Sequence, residues 1–94
     1  MRFSIIIPVL NEEGGLEEQL AHLTQLCAEH DCELLIVDGE SRDNTVAIAE
    51  RYGQVISSPR GRAAQMNMGA AAASGDVLLF LRCCTHMQHP PRAD

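Results

Sequence analysis

The chain contains no lysine; its seven basic residues are all arginine, and against thirteen acids they leave a formal charge of −6. A nucleic-acid surface needs a clustered basic face, so this balance argues against a nucleic-acid partner. Aromatic residues are almost as scarce, with Phe3, Tyr52 and Phe80 the whole set. Any core must therefore rest on Leu, Ile, Val, Ala and Met. No apolar run approaches the roughly 20 residues that span a bilayer, and the amino terminus carries no long apolar stretch with a small-residue cleavage site. A cytoplasmic location is the expectation. Cys27, Cys32, Cys83 and Cys84 lack the spacing of a structural zinc site or of a secreted disulfide framework, so reduced thiols are expected. Ninety-four residues suit one small domain with a thin core, or part of something larger.

What is present is organised around Leu34-Leu-Ile-Val-Asp-Gly-Glu-Ser-Arg-Asp-Asn-Thr45. Four apolar residues run into an acid, a glycine and a cluster of cap-forming side chains, the pattern of a buried strand that turns tightly into a helix. Asp38 then sits at the strand's carboxyl end, the edge at which open parallel α/β sheets hold ligands. A carboxylate there can accept hydrogen bonds from a sugar hydroxyl or a base N–H but would repel a phosphate. Asp43, just before Asn44 and Thr45, suits an N-cap. Arg60 and Arg62 bracket a glycine and form a local positive pair able to meet an anionic ligand.

Taken in order, Phe3 to Leu10 is a nearly unbroken apolar run closed by Asn11, Glu12 and Glu13. Pro8 cannot donate a ladder hydrogen bond, so the regular strand is expected to end near Ile7. Leu16, Leu20, Leu23 and Cys27 draw one apolar stripe down a helix from about Glu12 to Glu29. A short helix follows from Asn44 to Tyr52, with Gly53 as its stop, and Gln54 to Ser57 makes a third strand. Ala63 to Ala73, rich in alanine and methionine, reads as a helix able to pack close to a sheet. Val77 to Leu81 is a fourth strand, apolar at every position as if covered on both faces. Strands alternating with helices give a Rossmann-like α/β domain with a parallel sheet. No repeat or low-complexity segment interrupts it, and residues 85–94 read as an irregular tail.

Four stretches in order carry a resemblance: Ser4-Ile-Ile-Ile-Pro-Val-Leu-Asn-Glu-Glu13, the Leu34 to Thr45 segment, Gly61-Arg-Ala-Ala-Gln-Met-Asn-Met-Gly69, and Gly75-Asp-Val-Leu-Leu-Phe-Leu81. Together they resemble the amino-terminal half of a family 2 glycosyltransferase with the GT-A fold, in the small bacterial branch whose third motif reads Arg-Gly-Arg-Ala-x-Gln-Met-Asn. The resemblance implies that residues 1–94 form a single nucleotide-sugar-binding domain, an incomplete copy of the GT-A fold. It implies a sheet in the order 3-2-1-4 and inverting transfer of a sugar from a nucleoside diphosphate, UDP in the usual case, to an acceptor hydroxyl. Pro8 and Glu12 would contact the nucleoside, Asp38 would hydrogen-bond the base, and Arg62 would approach the diphosphate. A divalent cation, Mg²⁺ or Mn²⁺, would bridge the phosphates.

The chain departs from that pattern after strand 4. Where the family places an Asp-x-Asp or His-Ala-Asp motif, this sequence reads Arg82-Cys83-Cys84-Thr85, with Cys84 at the position of the metal-holding aspartate. Hard cations prefer oxygen, and a thiol replaces it poorly. The family's general base lies downstream of strand 4, and no residue after Leu81 has the character to supply it. Catalytic competence is therefore in doubt, and a non-catalytic nucleotide-binding or interaction domain is the alternative. Cys83, Cys84, His86 and His89 could instead form a soft-metal site, though adjacent cysteines crowd a tetrahedral ion. A dinucleotide-binding oxidoreductase is disfavoured, because the loop after strand 1 has no Gly-x-Gly-x-x-Gly fingerprint and carries acids where a pyrophosphate would sit.

Overall fold

The structure, a computed structural model, describes residues 1–82. The element order is β1 (Phe3–Val9), α1 (Glu13–Glu29), β2 (Cys32–Asp38), α2 (Thr45–Ala49), β3 (Gln54–Ser57), α3 (Arg62–Ala72) and β4 (Val77–Phe80). All strand pairings are parallel, in the order β3-β2-β1-β4. Chain order reverses direction between β1 and β4, so a switch point lies at the carboxyl end of β1.

Alternation along β1 divides the core. Ile5, Ile7 and Val9 point to one face, where they meet Leu16 and Leu20 of α1, Leu34 and Ile36 of β2, and Ala49 of α2. Leu23 and Cys27 continue the α1 stripe against the same cluster. Ile6 points to the other face with Leu35 and Val37, where Ala73 covers them. That second layer is thin because α3 lies almost on the sheet. A Cβ built on Gly69 would stand 2.5 Å from Ile6 Cγ2, so only glycine permits the approach.

Two expectations need correction. Pro8 does not end β1; it lies within the strand, opposite Val37. In a parallel strand the N–H and C=O of one residue point to the same side, and residues two apart share that side. Ile6 faces β4, since its carbonyl accepts from Leu81 N at 2.9 Å, so the nitrogen of Pro8 faces β4 too. The pairing with β4 ends at Ile6↔Phe80, and the missing donor costs nothing there. The second correction concerns β4. Leu78, Leu79 and Phe80 are 37%, 39% and 44% exposed, and among the described residues β4 pairs on one edge alone, with β1.

Smaller differences fall at the ends: α1 begins at Glu13 with Glu12 as its cap residue, and α2 is only Thr45–Ala49. Asn44, not Asp43, occupies the cap position of α2. The expected tail at 85–94 and the residues Cys83, Cys84, His86 and His89 lie outside the described residues.

Candidate functional site at the carboxyl ends of the strands

The apolar run of β2 carries Asp38 to the end of the strand, where it is only 6% exposed. Its Oδ2 accepts from the backbone N–H groups of Glu40 and Ser41, each at 3.1 Å. Those bonds curl the chain back at once, and Glu40 takes a positive φ of 74° in the bend. The other oxygen, Oδ1, is buried and has no hydrogen-bond partner among the described residues.

The loop after β1 is tied to the loop after β2 by reciprocal polar contacts. Asn11, with φ 51°, donates its N–H to Ser41 Oγ at 2.8 Å and accepts from Arg42 N at 2.7 Å. Glu12 N donates to Thr45 Oγ1 at 2.8 Å, and Glu13 accepts from Asn44 N at 3.0 Å. Asp43 accepts from Thr45 N at 2.9 Å and from Glu13 N at 3.4 Å, and it also takes the Thr45 hydroxyl. Burial opposes the charge on Asp43, but the hydrogen bonds from Thr45 and Glu13 outweigh it and hold its carboxyl below the usual range. Asp43 thus serves the starts of two helices, which is why it is not a simple N-cap.

Gln65, in the first turns of α3, is 5% exposed. Its Nε2 donates to Val9 O and to Val37 O, both at 2.9 Å, and so bridges the ends of β1 and β2. A Cβ on Gly39 would stand 2.8 Å from Gln65 Cδ, so the glycine after Asp38 makes room for that amide. Beside it opens a cavity of about 220 Å³ lined by Pro8, Val9, Leu10, Glu12, Arg62 and Gln65. Three of the four residues expected to form the site, Pro8, Glu12 and Arg62, therefore share one cavity. Asp38 is not in its lining; it lies one residue beyond the Val37 carbonyl that Gln65 holds. Glu12 is 8% exposed and Arg62 is solvent-exposed at the start of α3. A larger groove, about 650 Å³, lies against Glu13, Gly14, Asn44, Ala47, Ile48 and Arg51, with no strand residue in its wall.

Gln65, Ser41, Thr45 and Asn11 were not singled out as site residues by sequence reasoning. For Gln65 a signal existed: it is a polar residue four positions before Gly69, on the same helical face as the closest approach to the sheet.

Comparison with known proteins decides the family. The profile of Glycosyl transferase family 2 matches residues 4–82. The chain belongs to this family. Among similar glycosyltransferases is the undecaprenyl-phosphate 4-deoxy-4-formamido-L-arabinose transferase of Pseudomonas fluorescens (strain Pf0-1), 34% identical over 94% of this chain and 28% of that protein. The dolichol-phosphate mannosyltransferase of Pyrococcus furiosus is 31% identical over 97% of this chain and 27% of its own length. The chain thus spans under a third of the length of these relatives. Among solved structures, glucosyl-3-phosphoglycerate synthase from Mycobacterium tuberculosis, in complex with Mn²⁺, UDP-glucose and phosphoglyceric acid, superposes with a TM-score of 0.78. It is 26% identical, over 87% of this chain and 33% of that one. The parallel sheet in the order 3-2-1-4 with its flanking helices is the GT-A arrangement of these family 2 enzymes.

A divalent cation accompanies UDP-glucose in that neighbour. In this family 2 chain the sequence after β4 offers the thiols Cys83 and Cys84, and among the described residues no group of three His, Cys, Asp or Glu is placed to hold a metal ion. Mg²⁺ and Mn²⁺ take oxygen donors, whereas Cys83 and Cys84 offer thiols. No helix among the described residues is long and apolar enough to cross a membrane.

Proposed function

We propose that this family 2 domain binds a nucleoside diphosphate sugar, with uracil as the expected base, across the carboxyl ends of β1 and β2, in the role of donor site for inverting transfer to an acceptor hydroxyl. The observation that carries the reading is Asp38 Oδ1. A buried carboxylate oxygen left without a donor costs about 1–3 kcal/mol or more, and a base N–H arriving at the strand end would relieve that cost. Pro8 offers a flat apolar wall to the nucleoside, Glu12 accepts from a hydroxyl or base N–H, and Arg62 supplies positive charge to the diphosphate from the first turn of α3. The test is calorimetric titration of UDP into the wild type and into Asp38→Asn. Loss of one charge-assisted hydrogen bond is expected to weaken binding by about 10- to 100-fold; equal affinities would remove Asp38 from the site.

Binding without turnover is a second reading, favoured by the thiol at position 84. Without an oxygen donor for the cation, the leaving diphosphate lacks its electrophilic stabiliser, a loss of several kcal/mol. Donor turnover with Mn²⁺ is expected to be negligible for the 94-residue chain over a panel of acceptors. Metal-dependent turnover near the usual enzymatic rate of about 1 per second or more would overturn it.

A further inference from the structure

Away from the strand ends, the link between α1 and β2 brings two cysteines together. Cys27 lies in the last turn of α1 and Cys32 is the first residue of β2. The intervening chain folds back tightly, with Cys32 N donating to His30 O at 3.0 Å and Phe3 N to Asp31 O at 2.9 Å. The two sulfurs stand 2.6 Å apart, both thiols free and both half-buried against the main core. The spacing in sequence gave no reason to pair them; the helix-to-strand turn does. An apolar groove of about 350 Å³, with Phe3, Leu26, His30, Cys32 and Leu79 in its wall, opens beside Cys32 and gives a small reagent a way in.

We propose that Cys27 and Cys32 are a modification site: a vicinal dithiol that forms a reversible intramolecular disulfide by exchange with a small disulfide of the glutathione class. In the first step the Cys32 thiolate attacks one sulfur of the reagent, breaks its S–S bond, releases one small thiolate and leaves a mixed disulfide on Cys32. In the second step Cys27 gives up its proton, attacks the Cys32 sulfur, forms the Cys27–Cys32 bond and expels the second small thiolate. Two protein thiols are oxidised, the reagent is reduced to two small thiols, and these take up the two protons. Burial, and then the neighbouring Cys32 sulfur, push the Cys27 thiol up to about 12, so first attack by Cys27 is disfavoured. Once Cys32 is in a mixed disulfide its share of that shift is gone.

The experiment equilibrates the full chain with graded mixtures of reduced and oxidised glutathione, traps free thiols by alkylation and digests with trypsin and a Glu-specific protease. Cleavage after Glu29 puts Cys27 and Cys32 on separate peptides, and cleavage after Arg82 separates both from Cys83 and Cys84. The expected result is a linked Cys27–Cys32 peptide pair, half-formed at an oxidised-to-reduced ratio at least about tenfold lower in the folded chain than in urea, because the fold holds the sulfurs together. Cys27→Ser is expected to leave Cys32 as a mixed disulfide. Equal midpoints in folded and unfolded chain, linkage to Cys83 or Cys84 instead, or mixed disulfides alone in the wild type would overturn the proposal.

Discussion

The two ends of the sheet each hold a carboxylate on β2, and the two are treated in opposite ways. At the amino end Glu33 stands directly across from Ser4 in the β1–β2 register. Its Oε2 accepts from Ser4 Oγ at 2.6 Å, Ser74 N at 2.7 Å and Ser74 Oγ at 3.0 Å, while Arg2 lies 3.9 Å from Oε1. Ser4 Oγ in turn accepts from Gly75 N at 2.8 Å, where a Cβ on the glycine would stand 2.6 Å from that oxygen. At the carboxyl end Asp38 is more deeply buried than the half-buried Glu33, and among the described residues its Oδ1 has no donor. A satisfied carboxylate joins elements of the fold, whereas one left short of a donor calls for an explanation. The same strand therefore ends in a structural knot on one side and in the proposed donor site on the other.

Removing Glu33 should break the knot and leave the site intact. Glu33→Ala takes the acceptor from the completely buried Ser4 and from the Ser74 N–H. The expected destabilisation is on the order of 3 kcal/mol, because hydrogen bonds to charged groups contribute about 1.5–3 kcal/mol each and the buried Ser4 hydroxyl loses its acceptor. Urea unfolding measures it, and UDP affinity per folded molecule is expected to stay unchanged. Asp38→Asn should give the mirror result. Its stability is expected within about 1 kcal/mol of wild type, since the amide oxygen can still accept from Glu40 and Ser41, while binding falls by about 2 kcal/mol. If both variants lost stability alone, the contrast between the two ends would be only apparent.

Acid sharpens the same contrast with a smaller effect. The Ser4 hydroxyl first, and then the Ser74 N–H, hold the Glu33 carboxyl below its usual range. A carboxylate depressed in the folded state stabilises the fold above its unfolded pKa, near 4.3, and that contribution is lost as pH falls from there through the lower folded value. Chain stability measured by urea unfolding is thus expected to drop below about pH 4.3, and Glu33→Gln is expected to flatten the drop. An unchanged slope in the variant would assign the acid sensitivity to other carboxylates.

How far these ends were legible in the sequence follows from what each depends on. Asp38 was visible because an apolar run into an acid and a glycine is a local pattern, and the four strands and the α1 stripe rest on patterns of the same kind, whereas the order of the strands followed from the family resemblance. The Ser4–Glu33 knot was not visible, since nothing local says that Ser4 falls opposite Glu33; that depends on register. Pro8 was misjudged for a related reason. Whether a missing N–H matters depends on which neighbour it faces, and β4 stops two residues short of it. The exposed face of β4 shows the reverse error, in which an apolar run was taken as proof of cover.

Gln65 is the residue that joins the site to the rest of the sheet, and its removal should have the smallest effect of the set. In Gln65→Leu both bonded carbonyls lose a donor, but they lose it unequally. Val9 O keeps the N–H of Gly39 at 3.0 Å, so it remains satisfied, and the flat amide that rested on Gly39 is replaced by a branched apolar group of similar bulk. The stability cost is therefore expected near 1 kcal/mol, the net value of one neutral hydrogen bond. Binding should suffer as well, because the amide fixes the separation of the strand ends from which Pro8 and Asp38 project. A few-fold loss of UDP affinity is expected, with a heat of binding less favourable than in the wild type, as calorimetry would show. Gln65→Glu separates bridging from bulk: it matches glutamine in size but sets a carboxylate against two carbonyl oxygens, and it should bind more weakly than Gln65→Leu. If the two variants bound UDP as well as wild type, the amide would hold the strands together without shaping the site.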